Sequence, residues 1–494
     1  SPMTRYYAFL IEMTPIPRKH IYRLLILFLL PLTETNADTY CGLILDTATQ
    51  PIQGARVRFQ NTKVTTVSDQ NGRYCLDSEG SQSAITAWQQ GFYIGGIGLP
   101  AEGFSITLRR APQHHGEYEW LYSTRQEGAP RHPDTEPCEN CHTRLTREWI
   151  ASGHGRSHTN PLFGSVREVA MKDFGDTGKQ CALCHQPQGS NKPIGCDFCH
   201  KIKDVVGLDS QRLGVERIQL LTPEKDHIFF GPIDDIWERS DTYEPLYQES
   251  EYCASCHQGN FWRTEVYSTF SEWRDSSYAK TGTTCQDCHM KTSEVYLANP
   301  DDGGLKRDPQ TLSSHDFSIS SLLTKAISLK TDAEFNDDHL SVDITVSNTG
   351  TGHHVPSGSP LRHLLLIVSV QTPSGMLRQI SGSTVPTWAD TQYRSLPGKA
   401  YARVLKEIPN YRGSRKQHFK PVYPAPFWRP SLIESDNRIA ANDSDISHYE
   451  FELNGAASAA ISVELLYFEH FSHWMSLKAA TPVTMSSINR TIEK

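Results

Sequence analysis

Cys138-Glu139-Asn140-Cys141-His142 is the first of five copies of one short pattern, two cysteines three apart with a histidine directly after the second. The others are Cys181-Ala182-Leu183-Cys184-His185, Cys196-Asp197-Phe198-Cys199-His200, Cys253-Ala254-Ser255-Cys256-His257 and Cys285-Gln286-Asp287-Cys288-His289. The spacing has a chemical reason. Two thiols can form thioether links to the two vinyl groups of one porphyrin, and the adjoining imidazole then lies under the iron as its proximal ligand. Cys-x-x-Cys is also half of a zinc ribbon. Five copies, each followed directly by His and together using ten of the twelve cysteines, favour five c-type haems over zinc. On this reading Cys138, Cys141, Cys181, Cys184, Cys196, Cys199, Cys253, Cys256, Cys285 and Cys288 carry haem. His142, His185, His200, His257 and His289 are the proximal ligands of iron.

Each iron also takes a sixth ligand. A second histidine gives a low-spin, exchange-inert centre suited to electron transfer, whereas an open position permits substrate chemistry. Sixteen histidines lie outside the five motifs, one of them, His20, in the N-terminal stretch. His154 and His158 follow the first motif closely at i, i+4 spacing, so both can face a haem. His227, ahead of Gly231-Pro232, is a further candidate, and His114, His115, His132, His339 and His363 are reserves. His448, His470 and His473 read as structural. Met290 adjoins the proximal His289 and is badly placed for the opposite face, so it reads as packing. Trp149, Trp262 and Trp273 are expected against porphyrin faces. The second and third motifs are close in sequence, which predicts near contact between their two haems.

The chain has 494 residues, room for two to four domains. Its 37% hydrophobic content is low, so in the middle the porphyrins must supply part of the core. Arg18, Lys19 and Arg23, the apolar run 24–32 and Thr35-Asn36-Ala37 together read as a secretory signal covering 1–37, with Met13 the expected start. The apolar run is too short to span a bilayer, and no later stretch is long enough. Without 1–37 the formal charge passes from −8 to −10, which argues against a nucleic-acid partner. A periplasmic or extracellular location follows.

Residues 38–112 read as short alternating strands at 41–45, 55–60, 63–67, 73–76, 83–88 and 105–109. Gly42, Asp46, the run Pro51-Ile52-Gln53-Gly54-Ala55-Arg56-Val57 and the run Ser68-Asp69-Gln70-Asn71-Gly72-Arg73-Tyr74 resemble the carboxypeptidase regulatory-like domain. That resemblance implies a small β-sandwich with a structural or adhesive role and no catalytic group. Cys41 and Cys75, the two cysteines outside the motifs, are expected to form a disulfide in an oxidising compartment. Closing a loop of ~35 residues is worth about 3–4 kcal/mol in lost chain entropy. Residues 113–320 are the pentahaem region, with helices expected at 145–152 and 261–277. Residues 321–480 return to strands at 340–346, 364–370, 449–453 and 461–467, as in an immunoglobulin-like sandwich, and 481–494 read as a polar tail. The expected architecture is a loop-rich, mainly helical pentahaem domain flanked by two β-sandwich domains.

Three stretches resemble a broad family of multihaem cytochromes that includes the cytochrome c554-like and extracellular multihaem proteins. The first is Cys138–His142 with Trp149-Ile150-Ala151-Ser152-Gly153-His154. The second joins Cys253–His257, Glu272-Trp273-Arg274-Asp275-Ser276-Ser277-Tyr278-Ala279-Lys280 and Cys285–Met290. The third is His315-Asp316-Phe317 with Asn348-Thr349-Gly350-Thr351-Gly352-His353-His354-Val355-Pro356-Ser357-Gly358. The resemblance implies His315 and one of His353 or His354 as distal ligands, the latter letting the C-terminal sandwich clamp a haem. It implies an electron carrier, not itself an enzyme, whose partners are other redox proteins. The alternatives are an oxidoreductase acting on a small nitrogen or sulfur compound, and a subunit of a homo-oligomeric extracellular filament.

Overall fold

The computed structural model describes residues 38–78, 80–125, 137–237, 240–408, 422–471 and 481–494. The proposed signal at 1–37, together with His132 and His473, lies outside the described residues. The chain divides into two compact units. One holds the described residues up to Arg110 together with 235–237, and the other holds the remainder.

The first unit is two small sheets face to face. Asp38–Asp46 pairs antiparallel with Arg73–Ser78 and parallel with Ile106–Leu108. Thr65–Val67, Arg56–Phe59, Ala84–Trp88 and Gly95–Gly98 form the second sheet in that order. Along Arg73–Ser78 the inward positions Tyr74 and Leu76 alternate with exposed ones. They meet Ile44, Val57, Phe59, Ile85, Ile106 and Leu108 in a closed apolar core. Each such side chain contributes about 1.5–3 kcal/mol by leaving water. Asp69 Oδ1 accepts from the amides of Asn71 and Arg73, tightening the turn into that strand. Gly72 has φ +73°, and a Cβ there would sit 2.5 Å from the Ile44 carbonyl oxygen, so the turn needs glycine. Cys41 and Cys75 are register partners and are disulfide-bonded on the exposed face of their sheet.

The second unit begins with the motif-bearing region. The expectation of a mainly helical haem domain is not met. The described residues are 19% helix and 35% strand. One long helix, Pro161–Gln180, opens on Pro161 with the Asn160 side chain accepting from the Phe163 amide. The next longest, Thr143–Ala151, has nine residues, and the others are shorter still. The physical reason is that a Cys-x-x-Cys-His motif needs only one helical turn. Four motifs lie at such turns, Ala182–His185, Cys196–Cys199, Glu251–His257 and Cys285–His289, and the first opens on the 3-10 turn Cys138–Asn140. An i, i+3 spacing then puts both thiols on one face. Three two-stranded sheets fill the gaps: Ile202–Val205 with Ile218–Leu220, Phe229–Gly231 with Asp241–Tyr243, and Gly259–Phe261 with Thr264–Tyr267. The last replaces the helix expected over 261–277. Trp262 and Arg263 have φ +53° and +68°, the tight hairpin turn that matches strand twist. Within that span the helical residues are those of Thr269–Arg274 and the first of Ser277–Lys280.

The same unit ends in a β-sandwich. One sheet orders Ile327–Asn336, His339–Asn348, Ser444–Glu452 and Gln379–Ser381. The other orders Ser431–Asp436, Gly398–Glu407, His363–Thr372, Ser458–Phe468 and Val483–Glu493. Between them lie Leu340, Val342, Ile344, Leu364, Leu366, Tyr401, Tyr449, Phe451, Ile461 and Val463. Residues 481–494 are not a free tail, because Val483–Glu493 pairs along Ser458–Phe468 and turns Met485 into the core. A further cluster is shared by both parts of this unit. Val166 and Ala170 of the long helix and Phe261 and Val266 of the hairpin pack with Ala425, Phe427 and Trp428 from the proline-rich connection. Trp428 Nε1 donates to Asp173 of the long helix at 2.9 Å, and Arg429 pairs with the same carboxylate at 2.8 Å.

Candidate haem-binding site

None of the ten motif cysteines is in a disulfide, whereas the two cysteines outside the motifs are bonded to each other. The motif histidines stand in a definite arrangement. The His200 and His315 ring centroids are 6.4 Å apart, those of His289 and His353 are 6.3 Å apart, and those of His257 and His154 are 6.2 Å apart. These separations are too long for ring stacking. They are the separation of two imidazoles on one iron, since a metal–nitrogen bond of about 2 Å on each side puts the centroids about 6.4 Å apart. Each pair joins a motif histidine to one from elsewhere in the chain.

The orientation of these rings is built into the surrounding backbone. The Nδ1 atoms of His142, His200, His315 and His353 lie 3.1, 2.7, 3.3 and 2.8 Å from the carbonyl oxygens of Leu297, Phe230, Ser313 and His354. A proton held on Nδ1 leaves Nε2 unprotonated and aimed away, as a ligating imidazole requires. Burial pushes His154, His185 and His315 down to about 4 and His257 to about 3. It lowers His200, His289 and His353 as well. All seven are therefore neutral at neutral pH, the form that binds metal.

The remaining candidates are placed differently. His354 turns from His289 toward Glu272, whose Oε1 lies 3.8 Å from its Nδ1. His227 sits beside Tyr118 and Phe229. His158 lines an open cleft of about 360 Å3 with Phe163, Gly164, Arg167, Glu168 and Met171, and its Nδ1 is buried with no hydrogen-bond partner among the described residues. His185 stacks on Phe163 at 4.1 Å. Among the described residues, no second imidazole is brought opposite His142 or His185. Of the reserves, His115 approaches Thr222, His339 approaches Glu450 and His363 is stacked between Phe468 and Phe471. Trp149 and Trp273 spend their indole N–H groups on the carbonyls of Ile194 and Thr283.

Thiols of different motifs come near one another. Cys138 lies near Cys196, Cys184 near Cys256 and Cys253 near Cys285. Cys199 is near Cys256. The fourth motif thus adjoins the second, third and fifth. The second and third motifs, close in sequence, both lie near the fourth, and the third also lies near the first.

Several supporting residues carried no recognisable signal. Asp197, inside the third motif, forms a fully buried ion pair with Lys201 at 2.7 Å and accepts from Tyr118 and from the Leu121 amide. Lys201 also donates to the Ile228 carbonyl, so neither charge lacks a partner. Glu148 accepts from the His315 amide at 2.8 Å and pins that loop to helix Thr143–Ala151. Glu272 lay in a stretch already singled out, though no role was evident. Its carboxylate meets Arg438 at 2.7 Å and accepts from Ser357 at 2.6 Å and from the His354 amide at 3.2 Å. Arg438 and Arg403 both pair with Asp436, at 2.8 Å each. Two carboxylates and two guanidiniums thereby tie the motif region to the sandwich that supplies His353.

The described fold is similar to that of a solved penta-heme cytochrome c552 from Thermochromatium tepidum. The likeness has 18% sequence identity and a TM-score of 0.53, and it covers 72% of this chain and 97% of that one. An overlay on the Fcho1 Mu homology domain of Danio rerio covers 32% of this chain and 42% of that one at 9% identity, and its TM-score of 0.14 is no fold likeness. No protein-family model matches the chain. No curated protein matches it in sequence.

Proposed function

We propose that the chain is a multihaem c-type cytochrome that holds five haems on its five motifs and carries electrons among them. The observation that carries this reading is the set of three imidazole pairs at 6.2–6.4 Å, each including a motif histidine. The ten cysteines outside any disulfide and the pentahaem fold likeness support it. Bound haem would supply one reversible electron per iron. The chain's own residues fix the ring planes through Nδ1, exclude water around the ligands and hold neighbouring motifs in contact, so an electron passes without a mobile carrier. Proposed ligation is His257 with His154, His200 with His315 and His289 with His353. His158 and His227 are the candidates for the haems on His185 and His142.

The same reading places the protein in the periplasm or outside the cell, with other cytochromes as redox partners. The Cys41–Cys75 disulfide suits an oxidising compartment. The N-terminal sandwich would be a regulatory-like docking module. A second reading, reduction or oxidation of a small nitrogen or sulfur compound, draws on the cleft at His158 beside the haem proposed for His185. Intact mass and a pyridine haemochrome assay test the haem content. Five increments that survive acid-acetone extraction are expected, and fewer on fully matured protein would overturn the count. Purely low-spin EPR favours the carrier, whereas a high-spin haem that rapidly binds nitrite, hydroxylamine or cyanide favours the enzyme. His315→Ala should turn one haem from low to high spin and leave the others unchanged.

A further inference from the structure

We infer that Phe317 is a positioning residue that holds the His154 imidazole crosswise to that of His257, making the haem on the fourth motif electronically unlike its neighbours. This rests on the proposed reading, in which one iron lies between those two rings.

The three imidazole pairs share a separation but not an angle. The planes of His200 and His315 lie 18° apart and those of His289 and His353 lie 15° apart, so both pairs are close to parallel. The planes of His154 and His257 cross at 80°. The cause is visible in what holds each distal ring. His315 and His353 have Nδ1 on a backbone carbonyl, which fixes their rotation. The His154 ring makes no hydrogen bond among the described residues, so packing sets its rotation. The Phe317 ring meets it edge-on, with centroids 4.5 Å apart and planes at 77°.

Phe317 itself has φ +49°, a conformation that bulky side chains rarely adopt and that persists only where the surroundings over-determine it. Here they do. Glu148 accepts from the His315 amide at 2.8 Å and from the Ser314 hydroxyl at 3.2 Å, and Arg144 holds Glu148 in turn. The loop is fastened just before Phe317, and the backbone then turns so that the ring lies against His154. Phe317 also borders His315, with centroids 5.9 Å apart.

Crossing the planes has an electronic consequence. In low-spin ferric haem the unpaired electron occupies two nearly equivalent d orbitals, each able to accept π-donation from an imidazole. Parallel rings raise one of the two, quench orbital angular momentum and give a rhombic EPR spectrum. Crossed rings raise both alike and give a strongly anisotropic signal at a distinctly larger g maximum. The crossed site belongs to the fourth motif, whose thiols lie near those of the second, third and fifth.

The test is frozen-solution EPR on fully loaded protein, comparing wild type with Phe317→Leu, Phe317→Gly and Phe317→Tyr. Wild type should show a large-g-maximum low-spin signal besides rhombic ones. The Leu and Gly variants should keep their haem content and lose one haem's worth of that signal to the rhombic region, while Tyr, which keeps the ring, should retain it. The signal of His289 with His353 serves as the internal standard, since Phe317 also borders His315. If Leu loses haem, Gly decides, because it removes the ring and relieves the backbone together. The large-g signal persisting in full without the ring, or missing from wild type, overturns the role of Phe317. A peptide map with no thioethers at Cys253 and Cys256 would instead overturn the haem reading beneath it.

Discussion

The N-terminal sandwich and the motif-bearing region solve the problem of a core in opposite ways. In the sandwich, alternating strands bring Ile44, Phe59, Ile85 and Leu108 into mutual contact, and a disulfide closes the outer face. In the motif-bearing region, buried imidazoles face each other across more than 6 Å and ten thiols stay outside any disulfide. The first region is complete with its own side chains. On the proposed reading the second is shaped around groups that the chain does not encode. Stability should therefore depend on different things in the two regions.

The largest effect should come from withholding haem. Chain exported without haem attachment should lose its motif-bearing region to limited proteolysis while a fragment of about residues 38–110 survives. Mass spectrometry of the digest checks this, and a motif region equally resistant without haem would break the contrast. Next in size is Arg438→Ala, which leaves Glu272 and Asp436 short of a buried partner. A loss of about 3–5 kcal/mol is expected for breaking such a pair. Denaturant titration followed at the haem bands should report it, with the N-terminal sandwich unmoved.

The converse experiment is Cys41→Ser with Cys75→Ser. It should cost the N-terminal sandwich about 3–4 kcal/mol and leave the haem spectra unchanged. Acid gives the smallest expected effect. Burial would raise the Glu272 carboxyl, but the charge of Arg438 and the hydroxyls of Ser268 and Ser357 outweigh it and hold the group at about 2, below its usual 4.5. Because its value is depressed on folding, the stability it contributes, on the order of 3 kcal/mol, is fully present above the unfolded value and lost as pH falls through about 2. Glu272→Gln should flatten that part of the acid-unfolding curve.

The same contrast governs how far the sequence could be read. The strand at 73–78 was legible because Tyr74 and Leu76 alternate with exposed residues, and the pairing of Cys41 with Cys75 followed from being the only cysteines to spare. The five motifs were legible because their chemistry is local. What lay around them was not. A helix was expected over 261–277 because the stretch follows the fourth motif, yet the hairpin turn at Trp262 and Arg263 depends on backbone conformation that no side-chain pattern announces. The mainly helical expectation failed because a Cys-x-x-Cys-His motif asks for a single turn, not a long helix. The strand Val483–Glu493 was hidden because it is an edge strand, with Met485 turned inward among mostly polar neighbours. The His353 and His354 pair could not be separated by sequence. Only the third dimension turns one to His289 and the other to Glu272.

The three imidazole pairs also have a meaning for the chain in time. His154 leaves the ribosome before the motif it faces, whereas His315 and His353 emerge after all five motifs. With haem attached, each pair is a tie between distant points of the polymer. Closing such a long loop costs little more entropy than closing a shorter one, since the cost grows only as the logarithm of length. The tie at His353 cannot be made until the first strands of the C-terminal sandwich have been synthesised. On the proposed ligation the haems on His200 and His289 would therefore wait, covalently held by sulfur but open on one side, and the sandwich would act as the last clasp to close.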